Sequence, residues 1–291
     1  MKTAITIFGT ILGLVIPGSA AADWFANLEA GIRHDSNLGN ARMAADIVSD
    51  SALTTSFAGG HILQLDNGDS IIFQGHLAQE TYDRFHGMSN LAAGGGVDYK
   101  TKLGLGPYAP RLGAFISSEH LGFGDQVRNG WLNRVGIRGA RRVGERWDLS
   151  AEGSIEQRSS DRTMATEPGF AGDVFSQKSR NLLFRADYVH SDSTFMFIGY
   201  GLRKGDVVTT TQGDSDSAYD VARAITSDRA LGSDAYAYRI GGTTCTINAG
   251  IGMAISNHFV ISLSYLRHVT HAEGGNNYQK SLPGLLGSYS F

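Results

Sequence analysis

Residues 147–158 read WDLSAEGSIEQR and alternate between two kinds of side chain. One side of the alternation holds apolar or small residues, namely Trp147, Leu149, Ala151, Gly153 and Ile155. The other side is polar or charged throughout. A period of two over about ten residues predicts a β-strand with one apolar and one polar face. The same alternation occurs in NLEAGIR (27–33) and NLAAGGGVDYKTKL (90–103).

Extending this pattern along the chain predicts about twelve strands. They lie at roughly 24–35, 50–65, 70–84, 89–103, 108–121, 130–143, 147–159, 178–190, 194–206, 236–254, 258–270 and 277–291. Their length suits a tilted, membrane-spanning strand. Short connections alternate with mostly longer ones, and the short DNGD (66–69) contains the Asn-Gly pair typical of a type I′ hairpin turn. The pattern predicts an all-β fold, a transmembrane antiparallel up-and-down barrel.

Composition leaves a soluble periplasmic β-protein as the alternative. The 291 residues include 38 Gly, 5 Pro and one Cys, with a net charge of -3. The lone Cys245 excludes an intramolecular disulfide, and the charge argues against nucleic-acid binding. A soluble sandwich has no reason to place short turns at one end and long loops at the other, so the barrel is favoured.

The first residues have the features of an export signal. Lys2 precedes an apolar run (4–16) that is too short to span a bilayer, and small residues follow up to Ala22. A short membrane anchor, the alternative, needs a longer apolar run. We expect a signal peptide at 1–22 and a single barrel domain at 23–291.

Aromatic residues recur at the predicted strand ends with the parity of the apolar face. Membrane barrels carry such side chains at the level of the lipid headgroups. An aromatic girdle is therefore predicted at Trp24, Tyr99, Trp131, Trp147, Tyr188, Tyr289 and Phe291. Chance placement of aromatic residues in a core is the alternative.

The polar face of each strand is then expected to line the lumen. The predicted lumen-lining residues are Glu29, Arg33, Asp98, Lys100, Arg111, Glu119, Arg134, Arg138, Arg142, Asp148, Glu152, Glu156, Arg185, Asp187 and Arg203. Positive and negative charges nearly balance. A barrel of twelve strands is intermediate in width between narrow barrels, whose side chains fill the interior, and wide barrels, which hold an open aqueous channel.

Two of the predicted strands, 130–143 and 147–159, are joined by a short turn, which predicts three cross-strand pairs. The pairs are Arg142 with Asp148, Arg138 with Glu152, and Arg134 with Glu156. Such pairs either fix the register and neutralise one another or form a track for a substrate. The first interpretation is favoured, because an anion pore more often leaves rows of cations unpaired.

The long connection at 205–234 is a candidate gate. Within it, SAYDVARAIT (217–226) has apolar residues at helical spacing, which predicts a short helix. The connection either folds into the mouth or caps the outside, and the sequence does not choose between these.

Catalytic, metal and cofactor motifs are weak. His34, Asp35 and Ser36 are adjacent, so their side chains point to opposite faces of a strand. A hydrolase would need a Ser–His or Asp–His pair near the predicted loop rim, where His34, His86, His120, His268 and His271 fall. The acidic GDSDS (213–217) lacks the remaining features of a calcium loop. We predict no enzyme activity, no cofactor and no metal site.

The C-terminal strand SLPGLLGSYSF (281–291) resembles the β-signal of Gram-negative outer-membrane barrels of the porin-like type, with Phe291 last and Tyr289 two before it. The resemblance implies recognition by the barrel-assembly machinery, contact with outer-membrane lipid and lipopolysaccharide, and periplasmic termini. LEAGIRHDSNLGNA (28–41) and YGLRKGDVV (200–208) are also similar to barrel domains of surface lipoprotein assembly modifiers.

The leading functional hypothesis from the polar face is a narrow channel for small polar solutes. The alternatives are a non-channel barrel that assists surface display, export or anchoring, and a hydrolase at the rim. The sequence identifies no solute.

Overall fold

One antiparallel sheet runs through the whole of the described chain. The computed structural model describes residues 24–163, 168–213 and 216–291. The predicted signal peptide lies outside these residues, as do two residues of the acidic loop 213–217. No helix in the described part of the chain is long and apolar enough to cross a membrane.

The sheet contains thirteen strands. They are β1 (Trp24–Asp35), β2 (Asp50–Gln64), β3 (Ser70–Tyr82), β4 (Asn90–Lys102), β5 (Arg111–Phe123), β6 (Gly130–Val143), β7 (Trp147–Ser160), β8 (Gln177–Val189), β9 (Thr194–Gln212), β10 (Ala224–Ser227), β11 (Ala235–Ala254), β12 (Phe259–Ala272) and β13 (Tyr278–Ser290).

Twelve of these strands close into a barrel. Each pairs with the next along the chain, except that β9 pairs directly with β11, and β13 pairs with β1 to close the ring. The short β10 lies outside this ring and pairs with one end of β11, from Ala224 opposite Arg239 to Ser227 opposite Tyr236. Closure gives every wall strand two hydrogen-bonded neighbours, as a membrane span requires. The predicted fold class and strand number are confirmed.

The two ends of the barrel differ in their connections. At the turn end, which also holds Trp24 and Phe291, the connections are 65–69, 103–110, 144–146, 190–193 and 255–258. At the loop end they are 36–49, 83–89, 124–129, 161–176, 213–234 and 273–277. Gly68, with a φ of +84°, and Gly144, with a φ of +67°, supply the left-handed conformation that tight turns need.

The barrel wall has an apolar outside and a polar inside. Large apolar residues stand exposed on the outward parity of the strands, including Ile32, Phe57, Leu77, Ile116 and Ile137. A soluble protein would bury such a belt, whereas a bilayer solvates it. The clusters of fully buried apolar side chains lie mainly at the loop end.

One boundary differs substantially from the sequence prediction. β9 runs to Gln212, six residues beyond the predicted end at 206. Residues 207–211 are all buried, so this part of the strand is covered on both faces. Such a strand has no apolar–polar alternation, and the period-two pattern therefore does not reveal it.

Candidate functional site

The interior of the barrel brings together polar residues from strands that are not neighbours. Arg33 on β1 forms an ion pair with Glu80 on β3. Arg138 Nη2 on β6 lies 3.1 Å from Asp98 Oδ1 on β4. Another strand separates the two partners in each pair, so the side chains meet on the concave, inner side of the wall. The predicted polar face therefore points into the barrel.

The register between β6 and β7 agrees with the sequence prediction. Arg134 stands opposite Glu156, Arg138 opposite Glu152, and Arg142 opposite Asp148. The ion pairs run mostly along diagonals of this register. Arg134 reaches Glu152 at 2.5 Å, and Arg138 Nε lies 3.8 Å from the same carboxylate. Long arginine side chains reach a diagonal neighbour as readily as the residue directly opposite.

The other predicted pairs of this ladder do not form. Arg142 donates to the Glu145 carbonyl at 2.7 Å. Its expected partner, Asp148, instead accepts from Arg111 Nη2 at 2.5 Å. Sequence pairing rules fix which backbone positions face each other, but the curvature of the wall decides which side-chain tips meet.

Two inward phenylalanines support the arginines, and the sequence analysis missed them. The Arg138 guanidinium lies 4.4 Å from the centroid of the Phe115 ring, and the Arg185 guanidinium lies 4.2 Å from that of Phe197. Such cation–π contacts hold a guanidinium in place inside a wall. Both phenylalanines share the alternating positions of the polar residues of their strands, so the sequence places them on the inner face. Each also stands opposite a glycine that leaves room for its ring, Gly136 for Phe115 and Gly250 for Phe197.

The remaining predicted lumen residues vary in their partners. Arg185 pairs with Asp187 at 2.7 Å, and Glu119 with His76 at 2.9 Å. Glu29 accepts hydrogen bonds from Ser56 at 3.1 Å and Ser288 at 3.3 Å.

Five predicted lumen residues make no ion pair within 4.0 Å among the described residues, namely Glu29, Lys100, Arg142, Glu156 and Arg203. Arg203 is 3% exposed and donates to the Asp206 carbonyl at 2.6 Å, while its Nε and Nη2 have no partner among the described residues.

The predicted girdle residues lie at strand ends and face outward. Trp147 packs on Tyr188 with ring centroids 4.8 Å apart, and Tyr289 packs on Phe291 at 4.9 Å. Tyr99 donates to Asp69 in the first turn, and Trp24 is 73% exposed. These six residues lie at the turn end, whereas Trp131 lies at the loop end beside His120.

Residues 207–213 and 216–239, here called the lid, cover the loop end. The lid comprises the end of β9, the helical turn Asp216–Tyr219, β10 and the start of β11. The sequence analysis predicted a longer helix at 217–226, but the later part of that range is β10.

The lid contacts all five of the other loop-end connections. Thr210 N donates to Gly39 O at 2.7 Å, and Ala230 packs against Gly87. Ala230 N donates to Asp125 at 3.1 Å. Ile225 N donates to Ala171 O at 3.0 Å, and Ser217 Oγ donates to Asn276 Oδ1 at 3.0 Å. Arg223 forms an ion pair with Glu273 at 2.9 Å. A single segment reaches connections around the whole ring only by crossing the mouth. The lid therefore folds over the barrel opening.

A buried ion pair fixes the centre of the lid. Arg128, which is 1% exposed, pairs with Asp228, which is 0% exposed. Arg128 Nε donates to Asp228 Oδ1 at 3.1 Å, and Thr210 Oγ1 donates to Oδ2 at 2.7 Å. The Arg128 guanidinium also lies 4.6 Å from the centroid of the Phe175 ring. Burial by itself raises the pKa of the Asp228 carboxyl, whereas the Arg128 charge and these hydrogen bonds lower it, and the pKa lies below its usual value.

Two histidines near the rim have the partners that hydrolytic chemistry uses. His34 Nδ1 lies 3.1 Å from Ser51 Oγ, and His120 Nε2 lies 2.8 Å from Asp161 Oδ2. Among the hydrogen bonds of the described residues, no carboxylate bonds to the His34–Ser51 pair. Likewise, no serine or threonine hydroxyl bonds to the His120–Asp161 pair. Neither is a complete triad. The described residues also contain no cluster of three or more His, Cys, Asp or Glu able to hold a metal.

These features together define the class of protein. A closed ring of twelve antiparallel strands, apolar outside and charged inside, with mostly short turns at one end and mostly longer loops at the other, has the fold of a porin-like transmembrane β-barrel.

The fold of this chain is similar to that of a solved outer-membrane channel. An outer-membrane channel from Pseudomonas putida F1 superposes with a TM-score of 0.61 and 13% identity, covering 95% of this chain and 100% of that one. The NanC porin matches at a TM-score of 0.48 and 10% identity, over 91% of this chain and 98% of that one. The translocator domain of the autotransporter NalP from Neisseria meningitidis matches at a TM-score of 0.46 and 10% identity, over 96% of this chain and 91% of that one. At these identities the likeness concerns the fold. No family model and no curated protein matches the sequence.

Proposed function

We propose that this protein is an outer-membrane channel for small polar solutes, with the loop end at the cell surface, both termini in the periplasm, and the lid as its gate. The carrying observation is the inner face, where charged side chains such as Arg111, Arg138 and Glu152 meet across strands. A barrel that only anchors a partner has no need of such a face, whereas a hydrated path requires it.

The interior chemistry favours small, hydrated solutes over apolar ones. Arginines and carboxylates alternate along the wall, and the inward Phe115 and Phe197 narrow the path. A charge-balanced wall gives weak selectivity between anions and cations, because neither sign of potential dominates. Passage then depends mainly on solute size and on whether the lid is open.

The lid serves as the gate in this proposal, and the Arg128–Asp228 ion pair is the contact whose loss most weakens its closure. Removing one partner of a buried ion pair costs about 3–5 kcal/mol, since the remaining charge is left buried and uncompensated. Replacing Asp228 leaves Arg128 in this state beneath the lid. The lid then relieves the charge by moving away and admitting water.

Planar-bilayer recording of the purified protein tests this function. We expect rare or brief openings from the wild type and frequent, discrete conductance steps from Asp228→Asn. Arg223→Gln is the matched control, because Arg223 also belongs to the lid but its side chain is 50% exposed. Exposed ion pairs contribute only about 0–1 kcal/mol, so this control should gate like the wild type.

The interior variant Arg138→Ala separates a lumen path from a leak around the barrel. In the Asp228→Asn background it should change the size or ion preference of the steps, because Arg138 lies on the proposed path. Absence of conductance from Asp228→Asn, with the barrel folded, contradicts the channel. That result favours the non-channel barrel for surface display, export or anchoring, which the covered mouth also fits.

A further inference from the structure

Buried hydrogen-bond donors without a partner gather on the inner face of β7, β8 and β9, next to the lid. Among the described residues these atoms are Arg158 Nε, Ser160 Oγ, Ser179 Oγ and both Nε and Nη2 of Arg203. The register places them side by side, since Arg158 stands opposite residue 177 and Ser179 opposite residue 205. The four residues are here called the donor patch. Buried donors are normally paired, so the donor patch indicates acceptor oxygens that come from elsewhere.

The free atoms of Arg203 form a complete binding edge. Arg203 Nη1 donates to the Asp206 carbonyl at 2.6 Å, which leaves Nε and Nη2 on the other edge of the guanidinium. Two parallel N–H groups on one edge match the two oxygens of a carboxylate. The protein uses this arrangement elsewhere, because Arg185 Nε and Nη2 donate to Asp187 Oδ1 at 2.9 and 2.7 Å. The free edge of Arg203 therefore suits a carboxylate.

The described residues do not supply this carboxylate. Asp206 is paired with Arg223 at 2.9 Å, and the Asp228 carboxylate is held by Arg128. Glu156 stands opposite Ser179 on the inner face but makes no ion pair within 4.0 Å with any described cation. Arg158 and Arg203 also make none, so two cations face one uncommitted carboxylate, and the donor patch keeps a net positive charge.

The closed lid separates the donor patch from solvent. Arg203 is 3% exposed and Arg158 is 6% exposed. The Arg158 guanidinium lies 5.8 Å from the centroid of the Phe175 ring, and Phe175 packs in one apolar cluster with Val208 and Ala224 of the lid. A solute therefore reaches the donor patch only when the lid moves away. A ligand that binds one of two conformations shifts the population towards that conformation.

We propose that the donor patch binds a carboxylate group of the solute and that its occupation holds the lid open. The carboxylate accepts from Nε and Nη2 of Arg203 and from the Ser179 hydroxyl, and the charge of Arg158 adds to the attraction. This inference rests on the proposed function of the lid as a gate. It narrows the solute class to small organic acids, because a neutral solute leaves the Arg203 edge without a charged partner.

The rate at which a maleimide labels a cysteine beneath the lid tests this site. The full-length protein in detergent at pH 7 carries Val208→Cys in a Cys245→Ser background, and the Val208 side chain is 0% exposed. The probe is acetate, compared with chloride at equal ionic strength. We expect the labelling rate to rise with acetate and then level off. At ten times the dissociation constant the rise should be about tenfold, if the open fraction is small at the start. Chloride has no pair of oxygens and should give no such rise.

Two variants and a matched control separate a carboxylate site from a general effect of charge. Arg203→Lys keeps the charge but lacks the two-pronged edge, and it should lose most of the response to acetate. Arg203→Gln removes the charge as well and should also lose it. Arg180→Lys makes the same change at an exposed, outward position of β8 and should respond like the wild type. The site is overturned if Arg203→Lys or Arg203→Gln keeps the full response, if Arg180→Lys loses as much, or if chloride acts like acetate.

The Asp228→Asn variant distinguishes failure of this site from failure of the gate. Its buried ion pair is broken, so the cysteine at position 208 should be labelled rapidly without acetate. Slow labelling of this variant, equal to that of the wild type, overturns both the gate and the carboxylate site. Rapid labelling of this variant, with no effect of acetate on the wild type, overturns the carboxylate site alone.

Discussion

Arg128 and Asp228 form the buried contact on which the proposed gate depends. Both partners are almost fully buried, and Thr210 completes the hydrogen bonding of the carboxylate. Burial of a charge is tolerated only with such compensation, which ties residues from the 124–129 connection and the lid into one unit. The sequence placed these residues in loops and gave no sign that they meet.

The charge state of this pair predicts how lid closure depends on pH. The pKa of Asp228 is held below its usual value. Because the pKa of Asp228 is lower in the folded than in the unfolded protein, the ion pair stabilises the closed lid fully when the pH is above the unfolded-state pKa of about 3.9. This stabilisation is lost as the pH falls through the folded-state pKa of Asp228. We expect constant closure between about pH 5 and 8 and increasing opening below about pH 4.

Open probability measured in bilayers against pH checks this expectation. The Asp228→Asn variant lacks the titrating group, so its open probability should vary little with pH over the same range. An opening transition of the wild type near neutral pH contradicts the assignment of the gate to Asp228.

At the scale of elements, β9 combines two roles because of one glycine. Up to Arg203 the strand is part of the wall, and from Val207 onward it belongs to the lid. Gly205 lies between these parts with a φ of +153°, and a Cβ built there lies 2.1 Å from the Lys178 carbonyl oxygen. Only glycine fits this backbone conformation and close approach. Pairing of β9 with β8 ends at Gly205, opposite Ser179, while its pairing with β11 continues to Gln212. Gly205 is therefore the point at which β9 leaves the wall, and it is here called the hinge.

Substitution of the hinge should weaken the lid. We expect Gly205→Ala to cost about 1–3 kcal/mol of stability, because both the backbone conformation and the carbonyl contact are unfavourable for alanine. Thermal unfolding and the frequency of channel opening measure the effect. Gly153→Ala, at a wall glycine with open space around it, is the control and should leave both unchanged. Equal behaviour of the two variants contradicts the hinge.

At the scale of the whole molecule, closure of the ring fixes the direction of every strand relative to the termini. β13 pairs with β1 from Asn27 opposite Ser290 to Arg33 opposite Gly284, and Phe291 N donates to Ala26 O at 3.0 Å. The last strand therefore seals the barrel beside the first. The three shortest connections, 144–146, 190–193 and 255–258, share the end that holds Trp24 and Phe291.

This geometry makes the orientation in the membrane testable. In a Cys245→Ser background, Met43→Cys lies in the loop end and Leu105→Cys in the turn end, where the native side chains are 56% and 100% exposed. A membrane-impermeant maleimide applied to intact cells should label position 43, whereas position 105 should require lysis. The reverse pattern places the turn end outside and contradicts periplasmic termini.

The sequence by itself determined the wall. Alternating residues such as those of β7 fix which face meets lipid, and the short 144–146 turn fixes the register of β6 and β7, because each residue in a hairpin has one partner. Tertiary structure decided the rest. The partners of Arg134 and Arg142 depend on wall curvature, and the Arg128–Asp228 pair joins residues 100 positions apart. Residues 207–211 of the lid are buried on both faces, so their contacts come from the shape of the opening rather than from any local period.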